Sequence, residues 1–337
     1  MNPQPIIQPA SSLSAAEMHA GWADHPLAKL VFVPYPGVRE FWIARDPSTQ
    51  IILGRIGAYI SPHSPEQGII GFFDLNPTLQ GGQSDAISGH LLGAACDFLE
   101  KSGCKSATGP IHYNTWFPYR FLLKPSDDFR FSWEPLNPPL WPELWRKFGF
   151  SVDSTFTSEG YEDLSKFAQR IKPHHQRALD LGFRFDPIDQ ENLLIKELPK
   201  LYELSMKGFS DAPFFAPISL ELFRELYVPL ANKNAQGQLR YSRFIVSPEG
   251  QTVGFSFNFV QDQRLILKTI AILPAARGLG LSNAAMFPGV EQALQEGVSQ
   301  WVTALVRKGA QSESYGRYST PLWRHEYALF SKTLSNF

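Results

Sequence analysis

Short runs of alternating apolar and polar residues recur along this chain, and each set of them gives way to a longer stretch of helical period. In the first half, FWIARD (41–46), ILGRIGAYI (52–60) and GIIGFFDL (68–75) read as strands, the first two separated by the turn residues Pro47 to Thr49. A polar, glycine-containing stretch then opens SDAISGHLLGAACDFLEKSG (84–103), where Ile87, Leu91, Ala95, Phe98 and Leu99 recur at helical spacing. Ser84 or Asp85 supplies an N-cap there and Gly103 a terminator. SATGPIHYN (106–114) predicts another strand, PELWRKFGF (142–150) a Trp-rich helix, and a strand near Ser154 to Tyr161 closes the half.

The second half repeats that order. ENLLIKELPKLYELSMKGF (191–209) and LELFRELYVPL (220–230) predict two helices, each disturbed by one proline. RYSRFIVS (240–247), TVGFSFNFV (252–260) and RLILKTIAIL (264–273) predict three strands. In the middle one Val253, Phe255, Phe257 and Phe259 share a face opposite Gly254, Ser256 and Asn258, the pattern of a half-buried strand. A glycine-rich turn leads into a helix to about Glu296, kinked at Pro288; SQWVTALV (299–306) and EYALFSKTL (326–334) supply the last strands. Strand–strand–strand–helix–strand, twice, predicts two copies of one α/β unit in which the crossover helix makes a mostly antiparallel sheet locally parallel. RIKPHHQRALDLGFRF (170–185) joins the halves, helical to Gly182 and then extended, and the boundary is placed near residue 165.

A length of 337 residues suits two domains, and 43% hydrophobic with 19% charged residues excludes a disordered or fibrous chain. The formal net charge of −1 comes without a basic stripe, so neither nucleic acid nor an anionic membrane is an expected partner. Cys96 and Cys104 fit neither a disulfide framework nor a zinc site and read as buried thiols; no metal is expected. The N-terminus lacks a signal-peptide layout and no apolar run reaches spanning length, so a soluble cytoplasmic protein, monomer or homodimer, is expected.

Candidate chemistry concentrates in IAILPAARGLGLSNAAM (270–286). Pro274 stops the strand, and Arg277, Gly278, Leu279, Gly280, Leu281 and Ser282 open the helix. A helix N-terminus exposes unpaired N–H donors at the positive end of its dipole, and glycines let the backbone curl round a phosphate. Such glycines also occur in ordinary turns; the context narrows them. From strand through Pro274 to Arg277-x-x-Gly280-x-Ser282 the run resembles the coenzyme A signature Arg/Gln-x-x-Gly-x-Gly/Ala of the GNAT acyltransferase superfamily, with serine at the last small position. There is no Gly-Lys-Ser/Thr of a nucleotide P-loop, and the position after antiparallel strands does not suit a dinucleotide-binding fingerprint.

The resemblance implies two tandem GNAT-like domains, each a mixed, mostly antiparallel sheet flanked by helices. Residues 1–165 lack the motif, having only Gly81–Gly82 at the matching loop; residues 166–337 carry it. It implies further that the strand before the loop splays from its neighbour. Ile270, Ala271 and Ile272 would then pair with pantetheine amides, and the amides of Arg277 to Ser282 would hold the pyrophosphate of an acyl-CoA, most simply acetyl-CoA. The implied reaction is N-acylation of a primary amine of a small molecule or peptide, by direct attack in a ternary complex, since no nucleophile is placed for a covalent intermediate. In that family a tyrosine after the following strand often protonates the leaving thiolate, which makes Tyr315 the candidate acid, with Tyr318 nearby. Glu313, His325 and Glu326 are the candidate bases, each more often a surface or core residue than a base, and the pair His174–His175 on the basic junction helix reads as a solvated face. The aromatic and polar GPIHYNTWFPYRFLL (109–123) reads as a strand and loop packing on the Trp-rich helix, or as the lining of an acceptor pocket. Two other readings stay open: a Fem-like aminoacyl transferase, disfavoured by the neutral charge, and a silent acyl-CoA-binding module.

Overall fold

A computed structural model describes residues 4–14, 36–228 and 239–334. The chain forms two compact units: Met1–Lys124 with Pro135–Thr155 and Tyr327–Phe337, and Pro125–Glu134 with Phe156–Glu326. No single cut separates them, because two segments fold with the unit built mainly from the other half of the chain.

In the first unit β1 (Ile6–Pro9), β2 (Val38–Arg45), β3 (Ile52–Ile60) and β4 (Gln67–Leu75) form an antiparallel meander. Helix α1 (Gly82–Lys101) crosses over to β5 (Ser106–Gly109), parallel to β4. The spacing seen in the sequence places Ile87, Leu91, Ala95 and Leu99 on the sheet, in a core with Trp42, Ile56, Ile70 and Trp145. Each such leucine contributes about 2 kcal/mol by leaving water. Short β6 (Phe121–Lys124) and α2 (Leu140–Lys147) follow. The strand expected over 106–114 ends at Gly109, because Pro110 has no N–H to continue a ladder. Cys96 and Cys104 are buried and free, and burial pushes the Cys96 thiol up to about 11.

Strand β7 (Ser151–Tyr161) leads into the second unit. There α3 (Leu164–Asp180), β8 (Arg184–Pro187), α4 (Leu198–Gly208) and α5 (Leu220–Tyr227) precede the meander β9 (Arg243–Val246), β10 (Thr252–Gln261) and β11 (Arg264–Ile272). Helix α6 (Leu281–Gln295) then crosses to β12 (Gln300–Arg307), parallel to β11, and β13 (Trp323–Thr333) ends the described chain. The strand order β8-β9-β10-β11-β12 repeats β1-β2-β3-β4-β5. The duplication read from the sequence is therefore present in the topology.

Two further local expectations change. Strand β7, read as closing the first half, pairs Phe156–Tyr161 with β12, whereas the final strand pairs Phe330–Thr333 with β5. Alternation of side chains fixes the faces of a strand and says nothing of its neighbour, so this exchange leaves no trace in the pattern. Strand β10 is buried on both faces: Ser256 and Asn258 are wholly inaccessible, with Ser256 Oγ donating to the Ala285 carbonyl of α6 and Asn258 Nδ2 to that of Tyr241. Polar residues face inward there because buried carbonyls of α6 and of the turn at Tyr241 need donors.

Pro288 lies within α6, which continues through it as one helix. Lacking an N–H, it leaves the Ala284 carbonyl without its helical partner. His175 Nδ1 occupies that carbonyl at 2.9 Å. Gly289 lets α6 approach the Tyr241 carbonyl so closely that any Cβ would collide with it.

Candidate functional site

The Arg277–Ser282 loop follows a short 3-10 turn, Pro274–Ala276, and turns through positive φ at Gly278 (+83°) and Gly280 (+74°). Gly280 is the residue before α6 and caps it with backbone alone. Among the described residues, no carbonyl accepts from the N–H groups of Gly278 to Asn283; the first helical bond is from Ala284 to Gly280. This leaves a row of N–H donors at the positive end of a fifteen-residue helix, an arrangement whose chemistry suits an anion.

Arg277 is committed elsewhere. Its Nη1 lies 2.6 Å from Asp211 Oδ2, its Nη2 donates to the Gly208 carbonyl at 2.9 Å and its Nε to that of Ile272 at 3.1 Å. The guanidinium thus ties the loop to the end of α4 and holds the Asp211 carboxyl below its usual range. The exposed side chain beside these donors is His174, whose Nδ1 would stand 3.3 Å from a Cβ at Gly280. The pair His174–His175 therefore divides its tasks: His175 mends the gap at Pro288, and burial pushes its pKa down, while His174 borders the loop.

Tyr315 is 6% exposed and packs its ring edge-on against Phe167. Its phenol is turned toward Ser282 in the first turn of α6, and burial, the largest effect on it, raises its pKa while Ser282 lowers it. Arg170 donates to its carbonyl. The structure thus brings together Tyr315, Ser282 and the loop, which lie far apart in sequence. Tyr318 is exposed, and the Glu313 carboxylate accepts from Gly309 N–H at 3.0 Å. His325 is wholly buried, with Nδ1 2.8 Å from Glu134 Oε1 and Nε2 3.3 Å from Arg130 Nη1. An arginine only donates, so Nε2 accepts and Nδ1–H donates to Glu134. Glu326 is exposed on β13.

The strand before the loop does part from its neighbour. β11 and β12 pair only from Arg264–Gln300 to Leu267–Thr303. Beyond that fork β11 keeps its pairing with β10, through Ile270, Ala271 and Ile272 opposite Ser256, Phe255 and Gly254. Alternate N–H and C=O groups of a strand point to its other edge, and from Thr269 to Ala271 no described residue pairs there. At the base of the fork Thr303 stands opposite Glu159 on β7, and the Tyr161 hydroxyl bonds both side chains. Arg324 completes this cluster through Glu159 Oε1. Sequence reading missed it, since its members come from three separate strands. Among the described residues no group of His, Cys, Asp and Glu is placed to hold a metal ion, and no helix is long and apolar enough to cross a membrane.

The chain shares its fold with GCN5-related N-acetyltransferases. A conserved Enterococcus faecalis protein described as a probable N-acyltransferase matches with a TM-score of 0.57 and 8% identity, over 99% of this chain and 73% of that one. A glucosamine N-acetyltransferase region of a fungal multi-domain β-N-acetylglucosaminidase gives 0.53 and 15%, over 97% of this chain, which spans only 38% of that protein's length. A GCN5-related N-acetyltransferase from Kribbella flavida gives 0.50 and 10%, over 98% and 72%. No family profile and no curated protein matches the sequence.

Proposed function

We propose that this protein is an acyl-CoA-dependent N-acyltransferase of the cytoplasm, with acetyl-CoA the simplest donor, held by the second unit. The observation that carries this reading is the free edge of β11 from Thr269 to Ala271 running into the unpaired amides of Gly278 to Asn283. A pantetheine arm offers amides to the first and a pyrophosphate offers charge to the second. Arg277 acts in this reading by bracing the loop, and His174 adds a donor beside the phosphate.

The acceptor is a primary amine, neutral when it attacks. Its nitrogen forms a C–N bond with the thioester carbonyl carbon, the C–S bond breaks, the nitrogen loses a proton to solvent, and the departing thiolate takes one from Tyr315. The Tyr315 phenol, like any tyrosine, carries its proton at neutral pH, as a donor to a departing thiolate must.

Thermal shift with coenzyme A, acetyl-CoA and buffer tests the cofactor. Saturation at a hundredfold over Kd stabilises by about 2.7 kcal/mol, and no shift with any coenzyme A species would sink the proposal. Turnover with a panel of amines tests the enzyme: Tyr315→Phe lowers kcat about a hundredfold while donor affinity stays within threefold. Unchanged kcat in that variant removes Tyr315 from the chemistry.

A further inference from the structure

Pro125–Glu134 belongs to the second unit and lies as a strap on the face of β10–β11–β12 opposite α6. Its fixings are polar and numerous. Ser126 Oγ accepts from Arg324 N–H at 2.8 Å. Gln261 accepts from Ser132 N–H at 2.9 Å through Oε1 and donates to the Arg130 carbonyl at 2.7 Å through Nε2. Glu134 ends the strap in its buried pair with His325. Phe129 and Phe131 pack beneath it with Phe259, Ile266, Val302, Ala304 and Trp323.

Within this firmly held segment one large apolar side chain is left facing solvent. Trp133 is 49% exposed and its backbone takes a φ of +66°. Its ring meets Phe257 at 5.8 Å and Phe259 at 5.3 Å, edge-on to both. Leu305, which packs on the same cluster, has a φ of +57°. Bulky residues at positive φ are strained, and such strain persists where the surroundings impose it, often at a ligand. Both strained residues flank the fork. Phe257 is the β10 partner of Thr269, two positions past Leu267, where β11 and β12 part.

We propose that Trp133, Phe257 and Leu305 form the wall on which the donor's acyl group lies, and that the protein prefers an apolar acyl chain longer than acetyl. This rests on the coenzyme A site proposed above. An arm paired along Thr269 to Ala271 brings its sulfur to the fork, and the chain beyond the thioester then runs past Thr269 onto Phe257 and toward the indole. Each methylene that reaches the wall leaves water, worth about 0.8 kcal/mol or fourfold in affinity. The acceptor amine stays on the far side of the carbonyl.

Calorimetric titration of the full chain with coenzyme A and its acetyl, butanoyl, hexanoyl and octanoyl thioesters tests this without knowledge of the acceptor. Affinity should rise at least tenfold from acetyl to hexanoyl. Trp133→Ala should flatten that series while leaving coenzyme A itself within twofold, and Trp133→Phe should restore part of the slope. Because the indole is half exposed, both variants should keep the parental Tm to within a few degrees. Equal affinity for every thioester in the wild type, or an unchanged series in Trp133→Ala, overturns the acyl wall while coenzyme A binding stands. Failure of coenzyme A and all its thioesters to bind overturns the wall and the cofactor site together.

Discussion

In the first unit β4 and β5 pair from Gln67–Ser106 to Ile69–Thr108 and then part; in the second, β11 and β12 pair to Leu267–Thr303 and then part. The same topology makes the same fork, and the two are occupied differently. In the first, the chain just after β5 stays against β4 and fills the gap: Ile111 N–H donates to the Ile70 carbonyl at 2.9 Å, and Tyr113 wedges among Phe41, Tyr59, Phe72 and Phe117. The loop into α1 lacks the Arg-x-x-Gly run as well. In the second, β12 runs on from Ala304 to Arg307 toward β7, and nothing described takes the place of Ile111. A fork is a product of the crossover; a ligand site requires in addition that the chain leave the fork alone.

Substitutions at one glycine in each unit test that contrast. Gly71 lies against the filled gap, where a Cβ would meet the Ile111 carbonyl well inside any real contact distance. Gly71→Ala should cost about 3 kcal/mol, since the obstacle is backbone and cannot swing away, and should lower Tm while leaving the added stabilisation by coenzyme A unchanged. Loss of that ligand shift in a folded Gly71→Ala protein would mean that the first fork takes part in binding. Gly280 is the reverse case. Its φ of +74° strains any branched residue by about 1–2 kcal/mol, and Gly280→Val should erase the ligand's contribution of about 2.7 kcal/mol at a hundredfold excess. A wild-type shift in Gly280→Val would show that the loop amides do not hold the cofactor.

Much of this contrast was legible in the chain. Periodicity located nearly every strand and helix, and Pro274 with the glycines located the turn from β11 into α6. GIIGFF even hints at the filled fork, since two glycines in a core strand mark close approach of other atoms, where β11 carries Lys-Thr-Ile-Ala instead. What could not be read depends on tertiary neighbours. The motif marks Arg277 without saying that Asp211 takes its guanidinium. Nothing near Tyr315 announces Ser282, and the strap that carries Trp133 lies about 130 residues from the strand it covers, fixed there by Gln261. The exchange of β7 and β13 escaped because period two sets a face and leaves the edge open.

The smallest effect tests how the second unit keeps its row of N–H donors in place despite a proline in the helix that forms it. His175 donates to the Ala284 carbonyl that Pro288 leaves without a partner, and it does so as the neutral imidazole, its pKa pushed down chiefly by burial. His175→Leu should cost about 1–2 kcal/mol, the penalty of an unsatisfied helix carbonyl. The sign of the pH dependence follows from the depressed value. Below the unfolded histidine pKa of about 6.5 the unfolded chain binds a proton that the folded chain refuses, so stability falls as pH drops through that value toward the folded one. The Tm gap between wild type and His175→Leu should therefore be widest above pH ~7 and narrow on acidification. A gap that widens instead would mean that folding raises the His175 pKa and that the imidazolium, rather than the neutral ring, closes the break at Pro288.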